Sequence, residues 1–218
     1  MSAYCSVELA GTELWLLAEK AVYWPARKTL LIADAHFGKA AAYRKLGQPV
    51  PHGTTASNLE VLDRILAAYP CEHLIFLGDF LHAPGSHAAG TLSALAAWRR
   101  EVPLLPITLI RGNHDRRAGD PPAELGFNVV TEPLEMGPLA LQHEPEPHPS
   151  LHVLAGHVHP VYRLYGRGRQ SLRLPCYQLG SRISLLPAFG AFTGGFNVDA
   201  IADQRLYVVG DGGVWQVV

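Results

Sequence analysis

Short apolar runs separated by charged or turn-forming residues open the chain. "ELWLLA", "AVYW" and "TLLIA" are divided by "EK" and "PARK", a spacing that predicts a strand meander. After "DAHFGKAAAYRKLGQPVPHGTT", the residues Leu59, Leu62, Ile65 and Leu66 recur at helical intervals. Ser57 and Glu60 stand as a capping box at the start of that helix. "HLIFLGDF" predicts a buried strand, "AAGTLSALAAWRREVP" a helix and "PITLIRGNHD" another strand. From about Phe127 the pattern turns strand-rich, with "NVVTEP", "LALQHE", "HVLAGHVHP", "SLRLPCYQ" and "RLYVVG". Strands alternating with helices predict a layered α/β fold. No long linker, repeat or low-complexity tract divides the chain, and "EPEPHPS" is too short to part domains. The expectation is one domain over residues 1–218, a sandwich of two packed sheets with helices outside.

Composition adds bounds rather than chemistry. Hydrophobic residues make up 48% of the chain and charged residues 17%, the range of a soluble globular protein. No apolar run reaches the length of a membrane span, and the start lacks the basic and apolar regions of a secretory signal. Cys5, Cys71 and Cys176 are scattered and odd in number, which argues against a disulfide framework and for a cytoplasmic location. The formal net charge is −1, but the charges are unevenly spread. Pro147 to Val198 contains no acid yet carries Arg163, Arg167, Arg169, Arg173 and Arg182; Ala35 to Leu59 has no acid but has Lys39, Arg44 and Lys45. Such stretches suit a polyanionic partner or equally a solvated face.

The chemistry lies where apolar runs stop. "LLIADAH" ends in Asp34 and His36, "LIFLGDF" in Asp79, "TLIRGNHD" in Asn113, His114 and Asp115, "LALQHE" in His143, and "VLAGHVH" in His157 and His159. In layered α/β sheets ligands gather beyond the carboxyl ends of strands. If strand geometry persists through "GHVH", His157 and His159 point to one face. Gly78, Gly112 and Gly156 precede three of the groups, where they allow sharp turns and close backbone approach. Carboxylate, imidazole and amide oxygen form a mixed set suited to first-row divalent ions. Seven candidate ligands exceed one catalytic ion but suffice for two ions sharing a carboxylate. Taken singly, Asp34 and His36 also suit a turn, Asn113 a helix cap and His143 an exposed side chain. The joint order argues for metal. His52, His73, His82, His87, His148 and His152 fit no ligand spacing and read as structural or exposed.

The order D-x-H, G-D, G-N-H-D, H, G-H-x-H from Asp34 to His159 resembles the calcineurin-like binuclear metallophosphoesterase superfamily. The resemblance implies a metallophosphoesterase-type β-sandwich of two sheets flanked by helices. It also implies one ion on Asp34, His36, Asp79 and His159, and a second on Asp79, Asn113, His143 and His157. His114 would remain outside the metals as the catalytic imidazole. Two departures stand out. The second motif reads "GDFLHA" where many members have a further Asp or Asn, which leaves the partner of His114 unassigned. The fourth reads "QHEP" rather than His-Gly. "DAHFGKAAAYRKLGQPVPHGTT" and "LPCYQLGSRISLLPAFGAFTGG" further resemble the bacterial ligase-associated DNA damage response endonuclease family (PdeM). That likeness implies manganese as cofactor, with iron or zinc as alternatives, and DNA, single-stranded above all, as substrate. It also implies a role in DNA repair beside a ligase and a helicase.

On this reading Lys39, Arg44 and Arg116 are candidate substrate contacts, and Tyr43, Tyr162, Tyr165 and Phe192 candidates for base stacking. Asp115 either orients His114 or caps the turn. The alternatives are a phosphodiesterase of small or cyclic nucleotides, favoured by a closed pocket, and a non-catalytic scaffold. The strand-rich C-terminal region would also suit a homodimer.

Overall fold

The apolar runs near the middle of the chain are buried on both faces, which is why they read as continuous rather than alternating. The computed structural model describes residues 4–50, 53–168 and 170–218. The first sheet takes β1 (Tyr4–Leu9), β2 (Thr12–Leu17), β3 (Val22–Trp24), β4 (Thr29–Ile32), β5 (His73–Leu77), β6 (Ile107–Ile110) and β7 (Asn128–Val130), paired in that order. β1 to β4 pair antiparallel and β4 to β7 parallel. Helices α1 (Lys39–Lys45), α2 (Thr54–Ala68), α3 (Ala89–Glu101) and α4 (Asn113–Ala118) lie in the crossovers. Leu30, Ile32, Leu74, Phe76, Ile107 and Leu109 pack under Leu59, Leu62 and Ile65 of α2 and Leu95 and Trp98 of α3.

The alternate residues of the same strands face a second sheet. Leu31, Ile75, Leu77 and Ile110 meet Leu139, Leu141, Leu154, Tyr177 and Leu179. That sheet is built from β8 (Leu134–Met136), β9 (Leu139–Gln142), β10 (His152–Ala155), β11 (Pro160–Tyr165), β12 (Ser171–Leu179), β13 (Ile183–Leu185), β14 (Phe196–Asn197), β15 (Arg205–Gly210) and β16 (Gly213–Gln216). Its order is β14-β11-β12-β13-β10-β9-β8, with β15 pairing β12 and β16. The molecule is thus a mixed α/β sandwich of two sheets with helices outside, as expected. Cys5, Cys71 and Cys176 are free thiols. No helix among the described residues is long and apolar enough to cross a membrane.

Two local expectations need correction. Helix α2 starts at Thr54, capped by Gly53 in the left-handed conformation with no side-chain cap. Ser57 lies inside the first turn and its N–H bonds the Gly53 carbonyl. The apolar periodicity begins at Leu59, one turn later than the backbone does, so Ser57 and Glu60 form no capping box. Strand β10 stops at Ala155, and His157 and His159 adopt left-handed φ of 68° and 52°. Strand alternation therefore does not aim these two rings. His52 and Arg169 lie outside the described residues.

Candidate metal centre

The carboxyl ends of β4, β5, β6, β9 and β10 come together at one edge of the sandwich, and the loops leaving them carry the seven candidate ligands. Asp34, His36, Asp79, His157 and His159 all have positive φ. Non-glycine residues in that region cost on the order of 1 kcal/mol each and persist only where their surroundings fix them. The surroundings here are dense. A Cβ on Gly78 would overlap the His143 ring, and one on Gly156 would lie 2.6 Å from Asp34 Oδ2. The two glycines are what lets backbone and ligands share this space.

The side chains fall into two groups that meet at Asp79. In the first, His36 Nε2 faces His159 Nε2 at 3.2 Å, and His159 Nε2 lies 3.3 Å from Asp34 Oδ1. In the second, Asn113 Oδ1 lies 2.8 Å from His143 Nε2 and 3.1 Å from His157 Nδ1, and those two nitrogens are 3.0 Å apart. Asp79 turns Oδ2 to His36 Nε2 at 3.7 Å and Oδ1 to His143 Nε2 at 3.4 Å. Asp34, His36 and His159 have ligand atoms close enough to share one ion, as do Asp34, Asp79 and His143.

The donor set is richer in lone pairs than in protons. His143 Nδ1 lies 3.1 Å from the Leu77 carbonyl; donating its proton there leaves Nε2 as a lone pair aimed at an amide oxygen and a carboxylate. Asp34 Oδ2 accepts the N–H of His157 at 2.9 Å, while Asp34 Oδ1 is buried with no hydrogen-bond partner among the described residues. An orphaned buried carboxylate oxygen amid carboxylate, amide and imidazole ligand atoms is what a cation satisfies, so the donor set fits two divalent ions. Burial and then the neighbouring Asp34 push the Asp79 carboxyl up to about 8. Burial, followed by the charges of His159 and Lys39, holds His36 far below the usual imidazole range, and burial also lowers His143.

His114 sits at the rim. Its backbone N–H donates to Asp79 Oδ1 at 2.8 Å, its Nδ1–H donates to the His82 carbonyl at 2.6 Å, and its Nε2 stands 4.0 Å from Asp79 Oδ2. Burial lowers its pKa and the bond to the His82 carbonyl raises it. Asp115 does not touch the ring. Its carboxylate accepts the N–H groups of Gly112 at 3.0 Å, Leu81 at 2.9 Å and Phe80 at 3.3 Å. It is a capping residue that fastens the loop after β5 to α4.

His82 is the residue that sequence reasoning missed. Its ring stacks on His114 at 4.7 Å and on Tyr43 at 5.6 Å, and its Nδ1 is 3.3 Å from His36 Nδ1. With Nε2 of His36 turned to the cluster as acceptor, Nδ1–H of His36 donates to His82. Burial, then the charges of Lys39 and His114, lowers His82 to about 4, so it is neutral and able to accept. The signal was the departure in the second motif: His82 stands three residues after Asp79.

The expected substrate contacts diverge. Lys39 Nζ donates to the Thr193 carbonyl at 3.2 Å, and Asp79 and Asp34 attract its charge. Arg44 lines a separate cavity of about 350 Å³ with Thr54, Thr55 and Thr91. Arg116 is paired with Glu144 at 2.6 Å and Glu132 at 3.6 Å, so its charge is already met. Tyr43 and Phe192 meet edge to face at 6.1 Å beside His82. His157 is exposed, so the cluster is open to solvent on that side.

A family model described as calcineurin-like phosphoesterase matches residues 27–167. Among solved structures, the nuclease MPE of Pseudomonas putida is 52% identical, with a TM-score of 0.87 over 98% of this chain and 100% of that one. A protein of unknown function from Aquifex aeolicus, AQ665, is 19% identical over 64% of this chain and 81% of that one, with a TM-score of 0.41. No curated protein matches the sequence. The family match encloses every residue of the two ligand groups, and the chain belongs to the calcineurin-like phosphoesterases, hydrolases of phosphoester bonds.

Proposed function

We propose that this chain is a two-metal phosphodiesterase that cuts DNA, single strands in preference to duplex, with manganese as the working ion. One ion is assigned to Asp34, His36, Asp79 and His159, the other to Asp79, Asn113, His143 and His157, with Asp79 shared. The observation that carries this reading is the convergence of two carboxylates, an amide oxygen and four imidazoles on one edge of the sandwich, with Asp34 Oδ1 buried and left without a hydrogen-bond partner among the described residues. Two divalent ions bound there would neutralise phosphate charge and acidify the attacking water. His114 is the general acid. Its Nδ1–H is anchored on the His82 carbonyl, which leaves Nε2 free to carry a proton to the leaving alkoxide. Burial holds the imidazole below its usual range, and the negative charge of a bound phosphodiester acts against that shift, favouring the imidazolium.

Similarity to a protein described as a nuclease supports a nucleic acid as substrate. So does the open approach past His157, with Lys39, Tyr43 and Phe192 on the rim. On this reading the whole chain is one phosphoesterase domain of the cytoplasm, acting in DNA repair beside a ligase and a helicase. Incubation of the protein with circular single-stranded DNA and each divalent metal in turn tests it. Linearisation in manganese, falling steeply with added salt, is the expected result. An intact circle in every metal, from protein that hydrolyses bis-p-nitrophenyl phosphate, would remove DNA as the substrate.

A further inference from the structure

The hairpin of β11 and β12 begins one residue after His159 and carries an unusual charge arrangement. Its register sets Val161 opposite Pro175, Arg163 opposite Arg173 and Tyr165 opposite Ser171, and alternation puts all six on one face. Like charges directly opposite each other destabilise a sheet. No carboxylate between Pro147 and Val198 offsets them. Among the described residues the arginines meet neutral oxygens and no carboxylate: Arg163 donates to Ser171 Oγ at 3.1 Å, and Arg173 to Asn197 Oδ1 at 2.8 Å and to the Gly195 carbonyl. Both positive charges therefore remain available. Tyr165, at the outer end of the same face, is 81% exposed.

This face runs into the metal cluster. Val161, Pro175 and Arg173 line a cavity of about 320 Å³ together with His159 and Lys20. From Val161 to Tyr165 the strand extends about 13 Å at ~3.3 Å per residue, enough to carry a short stretch of single strand. Neutral oxygens leave the two opposed charges uncompensated and the tyrosine bare, whereas a chain of phosphates with unpaired bases satisfies all three.

Resting on the reading of the chain as a DNA phosphodiesterase, we propose that this hairpin face is the track for the single strand on the His159 side of the scissile phosphate. Arg173 and Arg163, side by side across the hairpin, hold backbone phosphates, and Tyr165, two residues beyond Arg163, stacks on a base. The track discriminates by length, because a short ester that fills the metal centre never reaches it.

The test uses the metal-loaded full chain with Arg163→Gln and, separately, Tyr165→Ala. For a long single-stranded oligonucleotide, Arg163→Gln should raise KM about tenfold at constant kcat and reduce the log–log salt slope by about one. Tyr165→Ala should raise KM about tenfold and leave the salt slope unchanged. A dinucleotide and bis-p-nitrophenyl phosphate should be turned over by both variants as by wild type, which also shows that they are folded. Wild-type KM and salt slope in both variants on the long oligonucleotide would overturn the track while leaving the DNA reading intact. Wild-type protein that hydrolyses the small ester but neither cuts nor binds any oligonucleotide would end both.

Discussion

On the proposed mechanism His114 does a job that the metal centre alone cannot. Charge neutralisation and water activation would fall to the ions, but an alkoxide leaves slowly unless protonated, and p-nitrophenolate does not need the proton. His114→Ala should therefore slow DNA cleavage by ~10²–10⁴-fold while turnover of bis-p-nitrophenyl phosphate and metal content stay near wild type. Comparison of the two rates on one preparation, with metal analysis beside it, makes the check; DNA cleaved at the wild-type rate would take His114 out of the reaction. The ligand types were legible in the sequence because O and N donors at the ends of apolar runs have few other uses. Their aim was not. His157 and His159 reach different groups through left-handed turns after β10 has ended, and no periodicity reports a positive φ. His82 escaped for a related reason: an isolated imidazole has no spacing, and its meaning comes from stacking between Tyr43 and His114.

At the scale of elements, the site depends on how firmly loops are tied to one another. Asp115, fully buried on α4, gathers three N–H groups, two of them from the loop that carries Asp79. Asp115→Ala would leave those buried donors without partners and should cost about 3 kcal/mol. It should also loosen Asp79 from Asn113 and so lower metal occupancy. Denaturant unfolding and metal analysis of the variant test this. Unchanged stability with full metal content would mean that the tie is redundant. The central strands β4, β5 and β6 were legible because burial on both faces leaves an unbroken apolar run. β1 was not singled out, since only Val7 and Leu9 of it are buried. Helix α1 was also missed. It has seven residues and buries only Ala40 and Ala42, and its entry at Gly38 presses on Ser86 from a distant loop. It is held by tertiary contact more than by its own pattern.

Across the whole molecule, the edge that brings the strand ends together concentrates unmet electrostatic demand. Without ions, Asp34 and Asp79 share a buried space, Asp79 is pushed up to about 8 by burial and by that neighbour, and the imidazoles of His36 and His159 crowd together at 3.2 Å. The unfolded chain gathers none of these groups, so ions that bind the native arrangement stabilise it by mass action. Each site filled at a hundredfold excess over its Kd should add about 2.7 kcal/mol. For a chain of this size that corresponds to a rise in Tm of roughly 5–10 °C per site. Thermal melts in chelator and in rising manganese should therefore show a Tm that climbs with the logarithm of metal concentration. Asp79→Asn, which alters the carboxylate reaching both groups, should lose most of that climb while melting cooperatively in chelator. A wild-type Tm indifferent to manganese, at concentrations that support phosphoester cleavage, would show that the ions are held too weakly to organise the fold. The acceptor cluster would then be sustained by the sandwich alone.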